Sequence, residues 1–228
     1  MRTFFWLLLL TTLLVCPRFG SAGESGTAEN QEAAYTRAIT ARADKIVATL
    51  GISDSTKATQ VRDIITRQYR DLSKLHEARD AGIKAAKQQA GTDKTLVAAA
   101  IRAEQEAVKP ALDKLHGEFL GRLSAVLTDE QVDQVKDGLT YGVVPLTYGV
   151  YLKMYPALTD AQKRQIMGWL VEAREIAMDG STSDEKHAVF GNYKGRINNF
   201  LSQAGYDAKQ GERNLRSGNS LSPKPKIN

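Results

Sequence analysis

Apolar side chains recur every three or four residues along almost the whole chain after residue 32, and this periodicity limits the fold to helices. In the first such run, Ile39, Ala43, Ile46 and Leu50 fall on one helical face. No segment alternates convincingly between apolar and polar residues, as a half-buried strand would. The sequence therefore predicts an all-α fold, a single-domain helical array of about six or seven helices.

Two copies of the motif L-T-D-x-Q, at 127–131 and 158–162, mark helix starts. In each copy the threonine oxygen can accept from the backbone N–H three residues on, while the glutamine reaches back to the threonine N–H. Ser53 and Ser183 are the predicted N-caps of the second and the last helix. Because a proline inside a helix loses a hydrogen bond, Pro110 is expected to kink or break the third helix.

The first residues have the features of a secretory signal peptide. Arg2 supplies a positive start, residues 4–15 are apolar apart from two threonines, and small residues precede a cleavage point after Ala22. Lipidation is the alternative, because residues 13–16 loosely resemble a lipobox that ends at Cys16. No second apolar run follows, so no transmembrane segment is expected, and the localisation is predicted to be periplasmic or secreted.

The predicted organisation has four parts. They are a signal peptide over 1–22, a polar tether over 23–30, an all-α domain over 31–207 and a disordered tail over 208–228. The tail is polar, basic and ends in two Pro-Lys pairs, a composition typical of a frayed terminus.

Charge and composition exclude several classes of function. The chain of 228 residues has a net charge of +5, and the signal peptide holds two arginines and no acid, so the mature charge is +3. Acids and bases alternate along the helices, whereas a duplex binder needs a basic stripe, so nucleic acid is not an expected partner.

The single cysteine excludes an internal disulfide. No paired histidines, H-E-x-x-H, Walker loop or G-x-S-x-G occurs, so no metal, cofactor or catalytic residue is predicted.

Aromatic and polar residues in the C-terminal half form the candidate ligand-binding set. Its members are Tyr148, Tyr151, Trp169, Tyr193, Arg196 and Asn199. Tyr148, Tyr151 and Tyr155 share one helical face and could offer a platform to a sugar ring or an apolar peptide. The alternative is that these tyrosines are core residues with satisfied hydroxyls, and aromatic residues at helical spacing favour that alternative.

Three carboxylates, Glu172, Glu175 and Asp179, are spaced to share one helical face. Glycoside hydrolysis needs a pair of carboxylates, but such a pair converges across a cleft. A row on one helix is more typical of a solvated edge. None of the three histidines, at 76, 116 and 187, has a histidine partner at i, i+4, and His187 is expected to make at best a polar contact.

The last helix is unusual because it carries two glycines and three asparagines between Phe190 and Phe200. Such residues are costly in a helix interior. The structural hypothesis, which we favour from sequence, is that Gly191 and Gly195 admit a crossing helix. The functional hypothesis is a polar groove for a ligand around Arg196 and Asn199.

Four segments carry a resemblance to a known family. They are YGVVP at 141–145, LTDAQK at 158–163, ARE at 173–175 and KHAVFGNYKGRINNFL at 186–201. These segments resemble an uncharacterised secreted family of the Bacteroidota, classed as a domain of unknown function, over residues 32–207. Members often lie near polysaccharide-degradation genes, so the resemblance implies a glycan context without assigning an activity. The paired L-T-x-x-Q motifs are also similar to those of periplasmic stress chaperones.

The function expected from these features is that of an exported, non-enzymatic accessory protein that binds a glycan or a polypeptide in the cell envelope. A periplasmic chaperone-like dimer is one alternative. A glycan-active enzyme that uses a carboxylate pair is the other, less favoured one.

Overall fold

The computed structural model describes residues 22–219 of the chain, and within them every regular element is a helix. The predicted all-α class is confirmed. Eight helices are described: α1 Ala22–Val47, α2 Ser55–Ala90, α3 Lys94–Ser124, α4 Asp129–Leu139, α5 Val143–Met154, α6 Asp160–Ala177, α7 Ser183–Gln203 and α8 Ala208–Asn219. Most of the predicted signal peptide, including Cys16, and the last nine residues lie outside the described part.

The helix count exceeds the predicted six or seven because residues 208–219 form α8 instead of a disordered tail. Asp207 accepts from the backbone N–H of Lys209 at 2.9 Å and so caps this helix. On the inner face, Gly211 is buried and Asn214 Nδ2 donates to the Met154 carbonyl at 2.9 Å. The sequence prediction missed these docking contacts, which hold a polar segment against α5.

The N-terminal boundary also differs from the prediction. The described part of the chain divides into two units between Ala38 and Ile39. In the described part of the first unit, residues 22–38 belong to α1, so the predicted tether over 23–30 is helical. Helix extension adds one hydrogen bond for each residue ordered, and no proline in this stretch interrupts it.

Both predicted capping boxes are present and start α4 and α6. Each glutamine also makes a tertiary contact. Gln131 Nε2 donates to the carbonyl of Leu50 at 2.9 Å. Gln162 Oε1 accepts from the Tyr206 hydroxyl at 2.9 Å, and that hydroxyl lies 3.0 Å from the Ala157 carbonyl. Each motif therefore fixes both a helix start and the position of a distant segment.

Other local predictions need correction. The N-cap of α2 is Asp54 instead of Ser53, because its carboxylate accepts from two backbone N–H groups, at 2.7 and 3.2 Å. The N-cap of α7 is Thr182 instead of Ser183. Pro110 does not break α3, which continues through it, while the kink stays a prediction. Pro110 and Glu106 are both exposed, so water can hydrate the carbonyl that the proline leaves without a donor.

The second unit contains two apolar clusters that its helices share. Phe119, Ile65 and Val135 are fully buried in the first cluster, which joins the C-terminal part of α1 to α2, α3 and α4. Ile166 and Ile197 are fully buried in the second, which joins α5, α6 and α7. The second cluster holds the aromatic residues singled out from the sequence.

Candidate functional site

The predicted ligand-binding residues divide between two regions of the second unit. Trp169, Tyr193, Arg196 and Asn199 lie on α6 and α7, whereas Tyr148 and Tyr151 lie on α5. Tyr151 is 5% exposed, and its hydroxyl donates to Asn198 Oδ1 at 2.9 Å. Burial raises its pKa to about 12. Tyr151 is therefore a core residue, and Tyr148 packs half-buried against the same cluster.

Trp169 and its neighbours form a contiguous contact set at the solvent boundary. The Trp169 ring meets the Phe200 ring edge-on, with centroids 5.3 Å apart. The Arg196 guanidinium lies 4.5 Å from the Trp169 centroid, close enough for a cation–π interaction. Arg196 Nη1 is 3.7 Å from Glu172 Oε2. Burial, with a hydrogen bond to Glu172, raises the pKa of Tyr193.

A shallow depression of about 640 Å³ lies beside this tryptophan. We call it the α6–α7 surface, and its polar and aromatic lining consists of Trp169, Asn192, Arg196, Asn199, Phe200 and Gln203. Its remaining lining includes Gly191 and Gly195. A Cβ built on either glycine would meet no heavy atom within 4 Å. The structural hypothesis that these glycines admit a crossing helix is therefore wrong.

The carboxylates of α6 do not form a uniform solvated edge. Glu172 is exposed, as that interpretation requires, but Glu175 and Asp179 are half-buried. Asp179 Oδ2 lies 2.7 Å from His116 Nδ1, and this hydrogen bond raises the pKa of His116. Glu175 Oε2 lies 3.1 Å from Lys136 Nζ and 3.7 Å from His116 Nε2. The solvated-edge interpretation is therefore wrong for Glu175 and Asp179.

These two carboxylates line a cavity of about 600 Å³ among α2, α3, α6 and α7. We call it the histidine cavity, because His76 of α2 and His116 of α3 form part of its wall. His76 is 3% exposed, and its Nε2 lies 2.7 Å from the backbone oxygen of Asp179. Since a carbonyl can only accept, Nε2 carries the proton. The apolar part of the wall includes Leu112 and Val189.

Two buried cations fix the helices around these sites. Arg174 is 4% exposed and donates to carboxylate oxygens of Asp133 at 2.6 Å and Asp137 at 2.9 Å, which ties α6 to α4. Lys186 is 5% exposed, and its ammonium donates to the Leu139 carbonyl at 3.0 Å. Burial lowers the pKa of Lys186 to about 8. Both cations serve packing rather than an accessible site.

The histidine cavity was missed by reasoning from sequence. The helical pattern does carry a signal, because His76 follows the buried Leu72 by four residues and His116 precedes the buried Phe119 by three. Both histidines thus occupy positions of an apolar stripe. Across residues 29–217, no group of three histidine, aspartate or glutamate side chains is arranged to hold a metal ion.

The described architecture is that of an all-α protein, and no helix between residues 22 and 219 is both long and apolar enough to cross a bilayer. Residues 36–217 match the model of the family described as "Protein of unknown function (DUF3826)", and the chain belongs to this family. The match extends beyond residue 207, where the resemblance was expected to end, and includes most of α8. A search of curated proteins found no match.

Proposed function

We propose that this chain is an exported, non-enzymatic accessory protein that binds a glycan in the cell envelope through the α6–α7 surface. The observation that carries the proposal is the exposure of two glycines on α7 with no packing role. Each glycine destabilises the helix relative to alanine, and no neighbouring helix packs against it to offset this loss. A ligand that approaches the α7 backbone between Trp169 and the asparagines would explain why both positions are glycine.

The chemistry of the surface supports a glycan. Amides of Asn192, Asn199 and Gln203 both donate and accept, which suits sugar hydroxyls. The indole of Trp169 offers an apolar face with a polar N–H. Arg196, which is exposed and lies over that ring, can move aside or bond to the ligand. The resemblance to a secreted family near polysaccharide-degradation genes agrees with such a partner.

Affinity gels that contain neutral and acidic polysaccharides test the proposal. The wild type is expected to be retarded by at least one polysaccharide, and Trp169→Ala and Asn199→Ala to lose the retardation. Leu146→Ala is the matched control, because Leu146 is 68% exposed on α5, away from the α6–α7 surface. Equal retardation of the wild type and both variants would show that the α6–α7 surface does not bind the polysaccharide.

Export is part of the same proposal and has its own test. Cleavage after Ala22 would deliver the chain to the periplasm or the medium, while lipidation at Cys16 would anchor it. Fractionation with intact-mass measurement distinguishes these two products. A full-length chain in the cytosol would refute export.

A polypeptide-binding, chaperone-like function is the second candidate, and exposed apolar residues on α5 favour it. Leu146 is 68% exposed and Val150, four residues on, is 40% exposed. Suppression of aggregation of a denatured client should then fall in the double variant Leu146→Ser with Val150→Ser. The enzyme alternative is less favoured, because Lys136 already engages Glu175 and His116 engages Asp179.

A further inference from the structure

Among the described residues that line the α6–α7 surface, Arg196 is the only one that carries a charge. Its side chain is 55% exposed, so a molecule in the depression can reach the guanidinium. The helix that carries it has no aspartate or glutamate between Lys186 and Gln203, a stretch that also contains Lys194. The charge that α7 contributes to this surface is therefore positive.

Only weak contacts hold the Arg196 side chain in its place. Its Nη1 lies 3.7 Å from Glu172 Oε2, and both side chains of this ion pair are more than half exposed. Exposed ion pairs of this kind add little stability, because water screens the two charges. Glu172 also accepts a hydrogen bond from the Tyr193 hydroxyl, so it keeps a partner when Arg196 moves. The guanidinium can therefore turn toward another carboxylate at low cost.

The position of Arg196 also controls access to the Trp169 ring. The guanidinium lies 4.5 Å from the centroid of this ring, so it covers part of a face on which a sugar could stack. A neutral sugar that stacks there has to displace the cation without offering it a new charged partner. A sugar that carries a carboxylate displaces the cation and pairs with it in the same step. Arg196 thus links stacking on Trp169 to the charge of the ligand.

The polar groups of the surface suit a sugar ring that bears a carboxylate. The planar guanidinium of Arg196 can donate two parallel hydrogen bonds to the two oxygens of a carboxylate. The amides of Asn192, Asn199 and Gln203 line the same depression and can bond to the hydroxyls of the same ring. A single arginine among amides therefore matches a single acid group among hydroxyls.

We propose that the α6–α7 surface selects glycans that contain uronic acid sugars, and that Arg196 is the residue that determines this specificity. The inference rests on the proposed function, because it names the class of glycan that the same surface binds. The ligand carboxylate bonds to the Arg196 guanidinium, and the sugar ring stacks on Trp169. The amides of the surface bond to the ring hydroxyls.

Affinity gels and calorimetric titration of the full chain test this preference with matched polymers. The probes are polygalacturonate and alginate, each compared with its esterified form, which has the same sugar backbone without the charge. The wild type should bind at least one free acid about tenfold or more tightly than the matching ester. Dextran sulfate is the control for general attraction to a polyanion, and it should bind more weakly than that free acid.

Variants at position 196 assign the preference to one side chain. Arg196→Gln removes the charge and should lower the affinity for the free acid about tenfold or more, while the affinity for the ester does not fall. Arg196→Lys keeps the charge without the planar pair of donors, so it should retain part of the preference. Arg102→Gln, at an exposed arginine of α3, changes the net charge by the same amount and should retain the full preference.

Several results would overturn the proposal. Retardation by neutral polysaccharides alone, or equal affinity for a free acid and its ester, would show that the surface does not recognise the carboxylate. An unchanged preference in Arg196→Gln would show that another residue recognises it. Binding of dextran sulfate as tight as that of the free acids would show that the chain attracts any polyanion.

Failure of this inference is distinct from failure of the proposed function. If Trp169→Ala abolishes retardation while the wild type binds acid and ester equally, the surface binds a glycan and only the preference for an acid is refuted. If Trp169→Ala is retarded as strongly as the wild type, the α6–α7 surface itself is refuted as the binding site.

Discussion

Replacing Gly191 and Gly195 by alanine separates a structural role of these glycines from a ligand-binding role. Each alanine should raise the free energy of unfolding by about 0.5–1 kcal/mol, because glycine costs that much in a helix interior. The gain is not offset, since the new Cβ would meet no heavy atom within 4 Å at either position. The double variant should gain about 1–2 kcal/mol, which raises the Tm by about 2–8 °C for a chain of this length.

The same substitutions should weaken retardation by a polysaccharide, because the methyl groups raise the floor of the α6–α7 surface. Gly138→Ala is the matched control for stability: its Cβ would lie 2.7 Å from Cγ1 of the buried Ile46. Overpacking of that kind costs about 1–3 kcal/mol, so Gly138→Ala should unfold more easily than Gly195→Ala. Chemical and thermal unfolding measure these differences.

Two outcomes would refute the reasoning about the α7 glycines. A loss of stability in Gly191→Ala or Gly195→Ala would show that the glycines have a structural role after all. A gain of stability with unchanged retardation would show that no ligand approaches the helix there.

Three further predictions concern stability. The pKa of His116 in the folded chain is raised above 6.5. Protonated His116 therefore stabilises the fold fully below pH 6.5, and this stabilisation is lost as the pH rises through the folded-state pKa. The difference in unfolding free energy between wild type and His116→Gln should therefore shrink above pH 6.5. Lys186 behaves oppositely, because burial lowers its pKa from 10.5 to about 8 and the unfolded chain therefore binds more protons between these pH values. The wild type should gain unfolding free energy relative to Lys186→Met as the pH rises from about 8 to 10.5. A difference between the two proteins that does not change with pH would contradict the burial of Lys186. Tyr151→Phe removes the bond to Asn198 and should cost about 1 kcal/mol in denaturant unfolding, with no change in polysaccharide binding.

Local signals predicted much of the fold. The Thr128 and Thr159 capping boxes were readable because both partners of each bond lie within four residues. Gly91 ends α2 with a φ of 61°, a conformation that favours glycine and that the sequence pattern anticipates. α8 was not predicted, because its polar residues are held by contacts to Met154 and other distant positions.

The two candidate sites show the same limit. The α6–α7 surface was partly predicted, because Arg196 and Asn199 are three residues apart on one helix and so share a face. Whether Gly195 packs against a neighbour depends on tertiary structure, and the sequence favoured the wrong alternative. The pairing of His116 with Asp179 joins residues 63 positions apart, and no periodicity in a single sequence specifies such a contact.

The capping glutamines have a consequence for how the chain opens. Gln131 and Gln162 each connect the first turn of a helix to a remote segment, so unwinding that turn also releases the segment. Amide hydrogens at the start of α4 should then exchange together with those near Leu50, and those at the start of α6 together with those around Tyr206. Helix ends usually exchange first and alone; here they should exchange as paired blocks on a common timescale.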